Sequence, residues 1–398
     1  MTLPIAEPAS LGFNPERLTH IAAALNREIE ARTLPGAVVA ISRRGKLAYY
    51  EALGHLDPSA RTPMRKDAIF SIASMTKPMT AVGALMLYEE GRLMLNEPVA
   101  RYLPELKGRR VGTPGCDGSP DQTVDLAREM TLKDLMSHSA GVSYGRGPTP
   151  LHKIWPVSST YSATTWTGGE FLQRIGKLPL HYQPGTSWEY SLGLDVVGLA
   201  VEKVAGRPLR DFLDERLFAP LGMRDTGFVV PQSEIARYAR VLSSDPITRE
   251  PQTIRDGTKL HKFDCGGGCA VSTAIDFLRF AQMLVNGGEL DGVRILGRKT
   301  VEYMTADHLG PEVDTTMLRA YPNINGYGFG LGVAVRRGNG VSGVVGSSGQ
   351  FHWAGSTGTY FWCDPAEELV AVFMAHAPGP IRYYHRQLMH ALVYQSLA

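Results

Sequence analysis

The stretch Phe70–Pro78 reads FSIASMTKP in one-letter code and gives the strongest indication of both fold and chemistry. Ser74 and Lys77 are three positions apart, so on a helix they lie on one face, one turn from each other. A buried, neutral lysine amine could take the proton of the serine hydroxyl. At the start of a helix, the serine N–H would also be free to bind an oxyanion. The pattern predicts Ser74 as a nucleophile and Lys77 as its partner.

The composition is that of an ordinary globular chain. Of its 398 residues, 43% are hydrophobic and 20% are charged, and the net charge is +2. This small charge gives no reason to expect nucleic acid or a membrane surface as a partner. The start of the chain lacks the basic and apolar regions of a secretory signal, and no run of 18 apolar residues occurs. Four cysteines are too few for a disulfide framework, so we predict a cytoplasmic protein with reduced thiols.

Strand-like segments lie at both ends of the chain and helical segments lie between them. An amphipathic helix over Gly12–Thr33 precedes two strands, Gly36–Arg43 and Lys46–Leu53. After the helical middle, strands return from Gly326, and a helix over Ile381–Leu397 ends the chain. This order predicts one sheet built from both termini. We expect a sheet domain over residues 1–75 and 320–398, a mostly helical domain over 76–319, and the active site at their interface.

Several further segments resemble one known family. The segment around Ser74 is similar to the nucleophile segment of the serine β-lactamase and penicillin-binding-protein superfamily. The resemblance continues through Leu132–Gly141 (LKDLMSHSAG), Pro184–Ser191 (PGTSWEYS), Pro220–Phe228 (PLGMRDTGF) and Gly266–Gly268. The branch that it resembles most is the family VIII carboxylesterases. It implies a β-lactamase-like fold of the α/β plus all-α class, in which helices flank an antiparallel sheet and a helical domain is inserted.

The resemblance implies that Tyr190 is the tyrosine of a Y-x-N motif. A phenol beside a lysine ammonium can ionise more easily and relay a proton. Leu192 stands where the motif has asparagine, which matches the esterases and not the lactamases. A literal Y-x-N at Tyr321–Asn323 lacks the flanking Pro-Gly-Thr and is discounted; the alternative for Tyr190 is a buried core aromatic.

The segment Trp353-Ala354-Gly355 matches the K-T-G position of the family. Small residues there allow the strand backbone to approach a substrate. The N–H of Ser356 would be the second oxyanion donor beside that of Ser74. Trp353 stands where lactamases have a lysine that binds a carboxylate, so we expect a neutral, fairly apolar ester. A core tryptophan is the alternative.

Three other patterns suggest different chemistry, and we expect each to be structural. Gly141–Gly145 (GVSYG) matches a nucleophile elbow around Ser143, but no strand precedes it and no helix follows. His138 fits a structural corner better than a Ser–His–Asp triad. The even spacing of His261, Cys265 and Cys269 would suit zinc, yet Gly266–Gly268 favours a strand near the active site. We therefore expect no metal.

The sequence thus predicts a serine carboxylesterase that works through an acyl-enzyme without a cofactor. Its partner would be a small-molecule ester, and the loop Gly145–Thr167, with its aromatics Trp155, Tyr161 and Trp166, would form a wall of the cleft. A β-lactamase, a D-amino-acid amidase or peptidase, and an acyltransferase are alternatives on the same fold. A catalytically inactive binding protein is a further one, although Ser74, Lys77 and Tyr190 are all present.

Overall fold

The structure, a computed structural model, describes residues 2–321 and 324–398. Within these ranges an eight-stranded antiparallel sheet forms the centre, and three two-stranded pairs lie outside it. The strands are β1 Gly36–Arg43, β2 Lys46–Asp57, β3 Thr62–Pro63, β4 Phe70–Ser71, β5 Arg110–Gly112, β6 Thr123–Asp125, β7 Val271–Ser272, β8 Glu289–Leu290, β9 Val293–Arg294, β10 Tyr327–Phe329, β11 Ala334–Arg336, β12 Phe351–Ala354, β13 Tyr360–Asp364 and β14 Leu369–Met374.

The central sheet joins the two ends of the chain. Its strand order is β10-β11-β12-β13-β14-β1-β2-β3. β1 pairs antiparallel with β14, with Val38 opposite Met374. One sheet is therefore built from both termini, as the order of elements in the sequence predicts. The domain limits at residues 75 and 320 stay a prediction.

Helices cover the sheet and fill the middle of the chain. None of those within the described ranges combines the length and apolarity that a membrane crossing needs; the cytoplasmic location stays a prediction. The α-helices are α1 Pro15–Glu30, α2 Thr76–Glu89, α3 Leu132–Met136, α4 Pro150–Ile154, α5 Ser159–Thr165, α6 Gly168–Ile175, α7 Gly193–Ala205, α8 Leu209–Leu213 (continued by a π turn, Asp214–Phe218), α9 Ala274–Val285, α10 Arg298–Met304, α11 Thr316–Ala320 and α12 Ile381–Tyr394.

β1 shows how the sheet is buried on both faces. Val39 and Ile41 belong to one apolar cluster with α1 and α12. Val38 and Ala40 point the other way, into the main core that contains α2, α7 and α9. Because side chains alternate along a strand, each face needs its own apolar set. Burial of each valine or isoleucine stabilises the fold by about 1.5–3 kcal/mol, which explains the unbroken apolar run of this strand.

The segment predicted as a loop, Gly145–Thr167, contains two short helices. α4 begins after Thr149, whose side chain accepts the N–H of His152. α5 begins after Ser158, whose side chain accepts the N–H of Tyr161. The loop prediction is therefore wrong for these residues, because the serines and threonines act as helix N-caps.

The glycine run Gly266–Gly268 forms a tight turn and not the expected strand. A disulfide joins Cys265 to Cys269 across it, with their Cα atoms 5.2 Å apart. That spacing is normal for a disulfide. The prediction of reduced thiols is wrong for this pair, whereas Cys116 and Cys363 are free and buried.

Candidate active site

Ser74 lies in a short 3₁₀ helix, Ala73–Met75, that turns the chain from β4 into α2. The φ angle of Ala73 is +44°, a left-handed conformation that costs a residue with a side chain about 1–2 kcal/mol. Thr76 holds this turn: its Oγ1 donates to the Ala73 carbonyl at 2.6 Å and accepts from the Ala270 N–H at 3.0 Å. The strained turn places the Ser74 hydroxyl in a cavity.

The Lys77 amine is fully buried next to Ser74. Its Nζ atom lies 2.6 Å from the Gly267 carbonyl, 3.2 Å from the Tyr144 hydroxyl and 3.4 Å from Ser74 Oγ. A neutral amine has two N–H donors and one lone pair. Gly267 and Tyr144 can take the two donors, which leaves the lone pair for the serine. Burial lowers the pKa of Lys77 to about 7, against the opposing charge of Asp195.

A closed ring of hydrogen bonds holds the Lys77 amine. The Tyr144 hydroxyl lies 3.0 Å from Ser159 Oγ, which donates to Asp195 Oδ2 at 2.6 Å. Asp195 Oδ1 accepts the Gly267 N–H at 2.8 Å. An ionised carboxylate only accepts, so Ser159 must donate to it, Tyr144 must donate to Ser159, and Lys77 must donate to Tyr144. Asp195 thus sets the direction of every bond in the ring.

Asp195 is completely buried in an otherwise apolar stretch of α7. Burial raises the pKa of its carboxyl, while Lys77, Ser159 and the Gly267 N–H act to lower it. Only glycine fits at position 267, because an added Cβ would lie 2.6 Å from Asp195 Oδ2 and from Ser159 Oγ. The packing around Asp195 and Ser159 therefore explains the glycine at this point of the ring.

The Tyr190 hydroxyl donates to Ser74 Oγ at 2.7 Å. The Lys77 Nζ lies 4.6 Å from the centre of the Tyr190 ring, over its face. Burial raises the pKa of Tyr190, which is opposite to the easier ionisation expected from the sequence. The phenol is therefore protonated near neutral pH, in a position to donate a proton to a group at Ser74. Leu192, at the asparagine position of the motif, is buried and precedes α7.

The end of β12 packs against the turn before Ser74. A Cβ at Gly355 would lie 2.6 Å from the Ile72 carbonyl oxygen, so the two backbones meet here. The Thr357 hydroxyl fixes the approach by donating to the Ser71 carbonyl at 2.7 Å. Ser356 shares the cavity with Ser74, and in the described part of the chain its N–H has no acceptor.

Trp353 is both buried and part of the cavity lining. Its ring contacts those of Tyr190 and Phe329, with centroids 5.3 and 5.1 Å away. Its Nε1–H is buried without a partner among the described residues. Trp353 therefore fits both predictions: it faces the cavity, and it is also a buried core residue.

The cavity has a volume of about 270 Å³. Arg382 and Arg386 also line it, and within the described ranges neither forms an ion pair. The replacement of a lysine by Trp353 therefore does not leave the cavity without a cation. Segment 144–160 does form a wall, but through other residues than expected: Trp155, Tyr161 and Trp166 line a separate outer groove. The wall comprises Tyr144, Arg146, Gly147, His152, Ser158, Ser159 and Thr160.

The competing candidates lie outside the cluster of Ser74, Lys77 and Tyr190. Ser143 is completely buried, and its hydroxyl donates to Glu189. His138 packs under Tyr190 with a centroid distance of 4.8 Å and bonds Ser191. His261 accepts from Arg255, and its two cysteine neighbours form the disulfide. The Tyr321–Asn323 pattern falls partly outside the described residues, although Tyr321 itself lines the cavity.

Sequence reasoning missed Tyr144, Ser159 and Asp195. Asp195 carried a readable signal, because a lone carboxylate within LGLDVVGLAV must find partners when that helix is buried. No sequence signal marked Tyr144 and Ser159, because their contacts in the site join segments that are distant in sequence.

Comparison with known proteins identifies the family of this chain. Residues 21–395 match the family model described as Beta-lactamase. Esterase EstB from Burkholderia gladioli is 28% identical over 421 residues, which cover 98% of this chain and 100% of that protein. Lovastatin esterase from Penicillium rubens is 31% identical over 328 residues, which cover 80% of each.

A solved structure supports the same assignment. EstCE1, described as a hydrolase with promiscuous acyltransferase activity, has a TM-score of 0.79 at 25% identity and covers 97% of this chain and 99% of its own. The β-lactamase-like fold and the resemblance to its esterases, expected from the sequence, are confirmed. The chain belongs to the beta-lactamase family, and it is a hydrolase related to the serine esterases built on that fold.

Proposed function

We propose that this protein is a carboxylesterase that works through an acyl-enzyme on Ser74. The observation that carries the proposal is the environment of the Ser74 hydroxyl, which accepts from Tyr190 and faces the buried amine of Lys77. An amine with a pKa of about 7 is half neutral at neutral pH, which is where a general base works best. The esterases among the relatives support the same reaction.

In the acylation step, Ser74 Oγ attacks the ester carbonyl carbon and its proton passes to the neutral Lys77 amine. The N–H groups of Ser74 and Ser356 stabilise the oxyanion of the tetrahedral intermediate. The carbon–alkoxide bond then breaks, and the alkoxide takes the Tyr190 proton. Lys77 returns a proton to Tyr190, which leaves an acyl-enzyme, a free alcohol and neutral side chains.

Deacylation repeats these transfers with water as the nucleophile. Water gives a proton to the Lys77 and Tyr190 pair and attacks the acyl carbonyl in the same oxyanion site. The bond to Ser74 Oγ breaks, Ser74 regains a proton and the acid leaves. The division of roles follows from the opposite pKa shifts: burial lowers that of Lys77, the base, and raises that of Tyr190, the acid.

The cavity favours small, fairly apolar esters. Trp353 replaces a carboxylate-binding lysine, and Leu192 replaces an amide-binding asparagine, which weighs against lactams and peptides. Met317 and Ile324 add apolar surface to the lining.

A second candidate reaction is the hydrolysis or transfer of acyl groups that bear a carboxylate. Arg386 favours it, because its buried guanidinium lines the cavity and has no carboxylate partner among the described residues. It donates to the Gly355 carbonyl at 2.7 Å and lies over the rings of Tyr360 and Tyr383. A buried charge without a counter-ion is costly, so an anionic substrate group would fit beside it. Transfer to an alcohol in place of water would use the same acyl-enzyme, in keeping with the description of EstCE1.

The test is to assay p-nitrophenyl butyrate and nitrocefin in parallel. We expect ester hydrolysis by the wild-type protein that is abolished in Ser74→Ala and retained in Ser143→Ala. A large preference for nitrocefin would instead indicate a β-lactamase. Full activity in Ser74→Ala would exclude the proposed mechanism.

A further inference from the structure

Two histidines and a glutamate meet at the edge of the catalytic cavity, outside the catalytic arrangement. His152, on α4, and His181 and Glu189, before α7, each offer one ligand atom, and these atoms lie within 4.8 Å of one another. His152 Nε2 is 3.0 Å from Glu189 Oε1. The two imidazole rings are 4.1 Å apart between centroids. They are 29 and 8 residues apart, a spacing that resembles no motif, so they could not be recognised from the sequence.

The cluster contains a polar atom that no protein group satisfies. His181 Nε2 is buried and has no hydrogen-bond partner among the described residues. A buried polar atom without a partner costs about 1–3 kcal/mol, so a group that the protein itself does not supply would stabilise it. Both recorded contacts to the Glu189 carboxylate, from His152 and Ser143, end at Oε1, so neither uses Oε2.

Neighbouring residues fix the orientation of the His152 ring, as hydrogen-bonded neighbours commonly do for a histidine that binds a metal ion. Thr149 Oγ1 lies 2.5 Å from the Nδ1 atom of His152, the ring nitrogen away from the cluster. Such a contact fixes the orientation of a ligating imidazole and leaves Nε2 for the ion. The Gly147 backbone lies close to the same ring, and a Cβ at this position would clash with the ring. The side chains of His152 and Glu189 are only 8% and 13% exposed.

We propose that His152, His181 and Glu189 form a zinc site at the wall of the catalytic cavity. Two imidazoles and one carboxylate are a common three-ligand set for zinc, which leaves a fourth position open. Bonds of about 2.0–2.2 Å require ligand atoms roughly 3.4 Å apart, so small side-chain rotations would close the cluster around the ion. His152 and Glu189 both line the cavity, so the open position faces it.

An ion here would connect the cavity wall to the catalytic tyrosine. His152 belongs to the wall, and Glu189 immediately precedes Tyr190. Zinc would tie these segments together and fix the backbone that carries the Tyr190 hydroxyl. The site does not depend on the proposed esterase reaction, because it uses none of the groups assigned to that chemistry.

The experiment is a titration of tag-free, chelator-treated protein with Zn²⁺ against a chromogenic chelator, with Co²⁺ as a spectroscopic substitute. We expect one ion per chain, a visible Co²⁺ spectrum of the tetrahedral type, and a rise in melting temperature on adding Zn²⁺. His181→Asn and Glu189→Gln should each weaken binding by about 100-fold or more. His20→Asn, which changes an exposed histidine on α1, should bind as the wild type does.

Ser74→Ala separates this inference from the proposed function. That variant should bind zinc normally, whatever its effect on ester hydrolysis. His152→Asn is the replacement if another variant fails to fold, as circular dichroism would reveal. Less than one ion per wild-type chain, or equal affinity in the wild type and in folded ligand variants, would overturn the proposal.

Discussion

The two sides of the catalytic cavity differ in how completely their polar groups are paired. On the side of α2 and α7, Lys77, Tyr144, Ser159, Asp195 and Gly267 form a closed ring in which each group has a partner. On the side of β12 and α12, several buried atoms have none in the described part of the chain: Trp353 Nε1, Arg386 Nε and both ring nitrogens of His352.

This difference separates the chemistry from the choice of substrate. A fully paired network is rigid and holds the Lys77 amine beside the Ser74 hydroxyl before any substrate arrives. Unpaired polar atoms beside a cavity instead favour ligands that can satisfy them. We therefore expect changes on the paired side to lower kcat, and changes on the unpaired side to alter KM for particular substrates.

The largest effect should come from Lys77→Met, which removes the base and keeps the side-chain volume. We expect kcat for p-nitrophenyl butyrate to fall by about 10³–10⁴-fold. Thermal stability should change little, because burying an apolar group in place of an amine offsets the lost hydrogen bond to the Gly267 carbonyl. Steady-state kinetics and thermal melting measure both. Lys66→Met, at a side chain that is 51% exposed, is the control. A kcat within tenfold of the wild type would exclude Lys77 as the base.

Asp195→Asn should have the next largest effect. A hydrogen bond to a charged group contributes about 1.5–3 kcal/mol, and about 1.4 kcal/mol changes a rate tenfold, so we expect kcat to fall by about 10–100-fold. The pH profile gives the second readout. Wild-type activity should rise with pH through about 7, as Lys77 loses its proton.

The sign of the shift in Asp195→Asn follows from its charge. Asp195 raises the pKa of Lys77, so its neutralisation should move the rise in activity to lower pH. Asp211→Asn, at an exposed position of α8, should leave the profile unchanged. If Asp195→Asn lowers kcat without moving the midpoint, Asp195 serves only to support the fold.

Arg386→Gln tests the unpaired side. Glutamine keeps an N–H for the Gly355 carbonyl and removes the charge. We expect KM for p-nitrophenyl hemisuccinate to rise about tenfold, the equivalent of one weak ionic hydrogen bond, with KM for p-nitrophenyl butyrate nearly unchanged. Arg298→Gln, on the surface of α10, is the matched control. Equal changes for both esters would show that Arg386 supports packing and not substrate choice.

Cys265→Ser should give the smallest change in activity. Loss of the short disulfide loop should lower the free energy of unfolding by about 2 kcal/mol, and kcat should fall only a few-fold as the Gly267 carbonyl loosens. Thermal melting and kinetics with and without reductant measure these effects. Thiol titration of the unfolded, unreduced wild type should find the two free cysteines; four would show that the disulfide does not form.

The sequence was enough to predict the sheet and to select Ser74, Lys77 and Tyr190, which the fold brings together; their catalytic roles stay a prediction. Ser74 and Lys77 are neighbours on one helical turn, and Tyr190 lies in a recognisable segment, so local spacing revealed them. The period-2 and apolar runs of β1, β2, β13 and β14 predicted strands at the expected ends. Such features depend on residues close in sequence.

The residues that sequence reasoning missed depend on tertiary contacts. Tyr144 and Lys77 are 67 positions apart, and Lys77 and Gly267 are 190 apart. Arg386 reaches the cavity only because α12 packs against the sheet beside β13. The expectation of a neutral ester considered the position of Trp353 alone, and not the helix that returns from the end of the chain.

The pairing of β1 with β14 also affects how the protein is made. Val38 pairs with Met374, so the centre of the sheet cannot form until almost the whole chain has been synthesised. Until then β1, with every residue buried in the native state, exposes an apolar edge that can pair with other chains. Long-range strand pairing of this kind slows folding and exposes intermediates to aggregation. Yield in the cell should therefore depend on chaperone supply and translation rate more than on the stability of the finished fold.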